Sequence, residues 1–166
     1  KSHSIGYLYT QRKKNAISKS KLILMVLLAV LLLIQLVRPQ KNTAAIPAGK
    51  AFVDTFKVSE QVNAILAVSC YDCHSNNTDY PWYSEIQPMA WFMDKHIKDG
   101  KEKLNFDELP SYGSRRLNSK FTQITKQIEQ DKMPLNSYLW MHEGARLSME
   151  DKKLFVEYFN SLMDNE

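Results

Sequence analysis

The chain has 166 residues, 44% of them hydrophobic, which is enough for one modest core plus an appendage and leaves no room for several domains; no internal repeat is visible. Its formal net charge of +4 suggests nucleic acid or an acidic membrane as partner until the charge is divided along the chain. Residues 1–21 carry six Lys or Arg and no acid, whereas residues 39–166 carry fifteen basic against eighteen acidic side chains, so the folded part is mildly acidic and nucleic-acid binding loses its only support.

The basic residues of the N-terminal arm, 1–21, are Lys1, Arg12, Lys13, Lys14, Lys19 and Lys21. There follows LILMVLLAVLLLIQLV, Leu22 to Val37, with Gln35 its only polar residue and Lys21 and Arg38 at its ends. A soluble helix normally keeps a polar face over such a length, so the stretch reads as a transmembrane anchor. At about 1.5 Å per residue it covers roughly 24 Å, short of a ~30 Å hydrocarbon layer unless Lys21 and Arg38 snorkel or the bilayer thins. The basic arm then marks the cytoplasmic side, and everything after Arg38 is expected outside the cytoplasm, on the periplasmic face of a bacterial inner membrane. The nearest small-x-small site, Thr43 to Ala45, stands well downstream of the apolar run, so retention as an anchor is expected rather than cleavage. The chain begins with Lys1 rather than methionine, so its first twenty residues carry little weight.

Residues 38–55, RPQKNTAAIPAGKAFVDT, hold two prolines and a glycine without periodicity and read as a linker that lifts the domain off the bilayer. The domain proper, 56–166, is expected to open near Phe56. Ser59 is a plausible N-cap, with Val62, Ile65, Leu66, Ser69, Cys70 and Cys73 following at helical spacing on one face. A second helix is expected from Pro88 to Gly100, with Met89, Phe92, Met93, His96 and Ile97 as its apolar stripe. A third runs from Ser114 to Asp131, with Leu117, Phe121, Ile124 and Ile128 inward, and Pro134 takes Met133 out of helical geometry. The last follows Ser148, whose spacing to Asp151 resembles a capping box, and buries Leu154, Phe155, Tyr158, Phe159 and Leu162. No alternating strand-length run is flanked by turn signals, so the fold class is all-α.

The chain has only two cysteines, and they fall in CYDCH: Cys70, Cys73 and His74 form C-x-x-C-H, the attachment pattern of c-type haem, in which two thioethers hold the porphyrin edge and the histidine ligates iron. A thioredoxin-like site would open a helix after a strand, and here the cysteines close a helix. A disulfide leaves the adjacent histidine without a role. Zinc would need two further ligands, which His74, His96 and His142 could supply, although closed sites are usually richer in thiolate.

The series CYDCHSNNTDYPWY, Trp91, His96 with Gly100, Leu104 to Phe106, Met133 with Pro134, and Tyr138, His142, Ala145, Leu147 and Ser148 resembles the haem-binding domain of small membrane-anchored c-type cytochromes of Bacteroidetes-type bacteria, over about residues 56–160. The resemblance implies a small helical, cytochrome c-like domain with one covalent haem c.

The distal ligand remains to be chosen. Met133 is the first choice, because its M-P context after a long helix resembles the sixth-ligand loop of small cytochromes c; core filling is its alternative role. His96 and His142 are the other candidates, and a vacant position is the remaining one. Tyr80, Trp82, Tyr83 and Trp91 are candidate walls for the porphyrin, and Arg115, Arg116 and Lys120 candidate partners for its propionates. No Ser-His-Asp series, phosphate loop or carboxylate pair stands out, so an enzyme is not expected beyond haem chemistry. The expected role is a monohaem electron carrier with protein redox partners. The alternatives are a gas or redox sensor, an accessory subunit of a larger membrane complex, or a small peroxidase using an open iron with His96 or His142 as acid or base.

Overall fold

The computed structural model describes residues 18–164. Among them every regular element is helical, as the absence of alternating patterns predicts. The structure divides into two units, one ending at Val37 and one running from Arg38; most of the expected basic arm lies outside the described residues.

The first unit is helix α1, Lys19–Ile34, capped by Ser18 and with none of its residues buried. No helix among the described residues is long and apolar enough to cross a membrane. The expected span to Val37 is cut short because Gln35, Leu36 and Val37 turn their amides back to residues three earlier, Leu32, Leu33 and Ile34. The final apolar residues therefore leave the helix.

The second unit starts earlier than the sequence suggests. Within the supposed linker, Lys50–Phe56 forms helix α2, whose Phe52 is fully buried. A stretch with one apolar anchor per turn shows no periodicity to a pattern search, yet Phe52 meets Phe56, Phe106 and Phe159 at ring-centroid distances of 4.9, 5.1 and 6.1 Å. Helix α3, Glu60–Ser69, begins as expected, with Ser59 Oγ accepting from the Val62 amide and Val62 and Leu66 buried. It does not continue through the cysteines. The backbone breaks at Cys70 (φ −131°, ψ −46°), and a separate turn α4, Tyr71–His74, follows.

Helix α5, Met89–Lys103, runs past the predicted stop at Gly100. Its expected stripe is only partly inward: Ala90 and Ile97 are buried, while Met89 and Phe92 are exposed. Helix α6, Ser114–Glu129, buries Leu117, Phe121, Ile124 and Ile128 as predicted. After the short α7, Asn136–Leu139, helix α8, Met149–Asp164, buries Phe155 and Phe159, with Leu154, Tyr158 and Leu162 packed against the core. Its capping box is complete: Ser148 Oγ accepts from the Asp151 amide at 3.0 Å and Asp151 Oδ2 accepts from the Ser148 amide at 2.9 Å. Helices α6 and α8 pack on each other and, with α2 and α3, enclose the core under the cysteine turn.

Candidate functional site

The break at Cys70 sorts the side chains of the motif. Because α4 restarts the helix, Tyr71 turns into the core, 4% exposed, where its ring meets the edge of Phe106 and its hydroxyl donates to Asn63 Oδ1. Cys70, Cys73 and His74 are thereby left at the margin of the core. Helix α5 comes unusually close behind them: a Cβ at Gly100 would stand 2.6 Å from the carbonyl oxygen of Cys73. Only glycine permits that approach, which is why Gly100 lies inside the helix rather than ending it.

The close approach has a chemical consequence. His74 Nδ1 lies 3.0 Å from the Gly100 carbonyl and 3.0 Å from that of Leu104. Carbonyls only accept, so Nδ1 carries the hydrogen and Nε2 is left with its lone pair, the arrangement that fixes tautomer and ring orientation in a metal-ligating histidine. Burial draws the His74 pKa below its ordinary value, against the raising effect of the two carbonyl bonds. The imidazole is held neutral, as ligation requires.

Both cysteines are free thiols. Burial, with Cys73 nearby, pushes Cys70 up to about 12, and burial, with Asp72 nearby, pushes Cys73 up to about 11. These are protonated thiols at neutral pH, unlike the lowered thiolates of dithiol oxidoreductases.

Cys70, His74 and Met133 line one cavity of about 390 Å³, whose apolar walls include Phe106, Ile124, Ile128 and Phe155. A second cavity of about 240 Å³ shares those three residues and adds Cys73 and His96. Met133 therefore stands with the cysteine motif from both sides, and His96 from one, with its Nδ1–H donating to the Phe92 carbonyl at 2.8 Å. His142 lines neither of these but borders a smaller hollow of about 70 Å³ that Cys73 and His96 also line. It is stacked on Tyr138 at 4.1 Å, donates from Nδ1 to the Tyr138 carbonyl and lies 3.3 Å from the Tyr83 hydroxyl through Nε2.

Of the aromatic residues singled out in the sequence, Tyr80, Trp82 and Trp91 line neither cavity, and Trp82 is 75% exposed, whereas Tyr83 lines the shallow hollow of about 70 Å³ together with Cys73 and His96. The apolar lining of the larger cavity comes from Leu104, Phe106 and residues of α6 and α8, distant in sequence from the motif. Of the three proposed cationic residues only Lys120 reaches the cavity, joined by Lys103, whereas Arg116 lies over the ring of Tyr112. Sequence reasoning also passed over Asp72, between the two cysteines. Its Oδ2 accepts from the Tyr138 hydroxyl at 2.7 Å, tying the segment after Met133 to α4. Nothing in the local sequence signals a partner sixty-six positions away.

Among the described residues no three of His, Cys, Asp or Glu converge as metal ligands, and no strand precedes the motif. A family model described as a haem-binding domain matches residues 29–161. The chain belongs to this haem-binding domain family. The match takes in the whole of the second unit's core and begins within α1, upstream of the sequence resemblance, which starts near residue 56. No curated protein matches the chain, and no solved structure does. The haem-binding assignment agrees with the donor set: two thiols three positions apart, a neutral imidazole held through Nδ1, and an apolar cavity beside them.

Proposed function

We propose that the chain is a membrane-anchored monohaem c-type cytochrome carrying single electrons on the periplasmic side of a bacterial inner membrane. The observation that carries the reading is His74, held by two carbonyls through Nδ1 in the cavity that Cys70 and Met133 also line. A haem held there supplies one-electron chemistry at iron. Cys70 and Cys73 would hold such a haem through thioether bonds, each S–H adding across one vinyl group so that no oxidant is required.

His74 would ligate the iron through Nε2, and Met133, which lines both cavities that contain His74, would be the second ligand. His96 is the second choice, because it shares one of them. Phe106, Ile124, Ile128 and Phe155 exclude water, and Lys103 and Lys120 offer cations to propionates. The apolar α1, with every residue outside the core, serves as anchor, with Lys21 and Arg38 reaching for headgroups to offset its short length. Protein redox partners are expected.

The test is expression with a cytochrome c maturation system. Haem should stay with the denatured polypeptide and add the mass of one group; extraction of haem by acidified organic solvent would refute the covalent reading. Oxidised protein should show the long-wavelength band of methionine-bound ferric haem, and Met133→Ala should remove it. If His96→Ala instead converts a low-spin spectrum to high-spin, His96 is the distal ligand.

A further inference from the structure

The segment after the apolar run is fastened to the haem-binding unit from its first residue. Arg38 and Lys41 both pair with the carboxylate of Glu85. The Asn42 amide donates to the Tyr80 hydroxyl at 2.8 Å, its Nδ2 donates to the Ser75 carbonyl and Thr78 Oγ1 at 2.9 Å each, and its carbonyl accepts from the Thr78 amide at 3.0 Å. Lys101 Nζ donates to Asn42 Oδ1 at 2.6 Å. Arg38, the first residue after the apolar run, is thus held within the haem-binding unit.

Glu85 closes the 3₁₀ turn Trp82–Glu85. With three residues per turn, side chains at positions 82 and 85 eclipse, so Trp82 projects on the same side as the carboxylate that holds Arg38 and Lys41. Trp82 is 75% exposed, and the next residue after the turn, Ile86, is 46% exposed. An exposed indole on the turn whose Glu85 pairs with two basic residues, the first of them next to the apolar run, has a composition found at bilayer interfaces. There the ring sits at headgroup level and the cations balance the carboxylate and phosphates together.

We propose that the haem-binding unit lies directly on the membrane surface through the face formed by Arg38, Lys41, Trp82 and Ile86, with lipid headgroups as the partner. The proposal rests on the reading of α1 as the anchor. It assigns Trp82 a role other than walling the haem, from which it is absent.

The test uses the full haem-loaded chain in nanodiscs of phosphatidylcholine and phosphatidylglycerol, exposed to hydroxyl radicals and read by mass spectrometry. Trp140, 86% exposed at the end of α7, is the internal reference. Trp82 should oxidise several-fold more slowly than Trp140 at one chain per disc. Equal rates in chains that copurify with the discs would overturn the surface contact and leave the anchor standing. Failure to copurify would overturn the anchor and the contact with it. Protection that appears only with several chains per disc would mark contact between copies and would also overturn the proposal.

Discussion

At the residue scale, the absent side chain of Gly100 lets α5 hold the His74 imidazole. The helix α5 carbonyls at Gly100 and Leu104 orient His74 only because nothing stands between α5 and the Cys73 carbonyl. Gly100→Ala would ordinarily gain about 1 kcal/mol of helix propensity. Here the added methyl meets backbone, which cannot swing aside, and overpacking of this kind costs ~1–3 kcal/mol. The expected net result is lower stability in urea unfolding and a lower yield of haem-loaded protein. Gly144→Ala is the control: nothing lies within 4 Å of a Cβ there, and its effect should stay within about 0.5 kcal/mol. The hydroxyl of Tyr138 is the second test at this scale. Its bond to the Asp72 carboxylate joins α7 to α4, and loss of a hydrogen bond to a charged group costs about 1.5–3 kcal/mol. Tyr138→Phe should therefore destabilise the fold and speed amide exchange in residues 133–142, measured by hydrogen-exchange mass spectrometry.

At the element scale, α2 decides where the folded unit begins. Phe52 is fully buried between Phe56, Phe106 and Phe159, and Gly49 ahead of it has φ +68° with Tyr71 packed against its α-carbon. A fragment that starts at residue 56 loses that ring and opens the core. It should unfold without a cooperative transition, while a fragment that starts at Arg38 should give a single sigmoidal urea curve. Phe52→Ala in the full chain should cost ~3–5 kcal/mol, checked by the same denaturation. A cooperative fragment from residue 56, equal in stability to the longer one, would contradict the packing. The broken helix at Cys70 belongs to the same scale: the new turn lets Tyr71 enter the core while the residues on either side of it remain at the cavity margin.

For the whole molecule, two units of opposite character are joined at Val37 and Arg38: an apolar helix with no buried residue, and an acidic helical domain with a cavity beside Cys70 and His74. If the basic arm lies in the cytoplasm, as the proposed anchoring requires, protease added to spheroplasts should digest the haem-binding unit, while the same treatment of inverted vesicles should leave it intact. The reverse pattern would contradict the proposed orientation.

The helical class, the capped starts of α3 and α8, the inward face of α6 and membership of a haem-binding family were all legible in the chain, because each is written in neighbouring residues: a hydroxyl before a helix, a 3.6-residue repeat, two thiols three positions apart ahead of a histidine. What tertiary structure alone decided is whatever depends on residues far apart in sequence. Trp82 and Trp91 stand close to the motif in the chain yet do not wall the cavity, whereas Ile124, Ile128 and Phe155, from α6 and α8, do. Phe52 looked like linker because its partners, Phe106 and Phe159, lie more than fifty positions away. Which hollows Met133, His96 and His142 share with the motif is set the same way, since spacing says nothing about which side chains meet. Gly100 marks the difference most clearly: by local rules glycine ends a helix, but here the approach of another backbone outweighs its poor helix propensity and keeps it inside one.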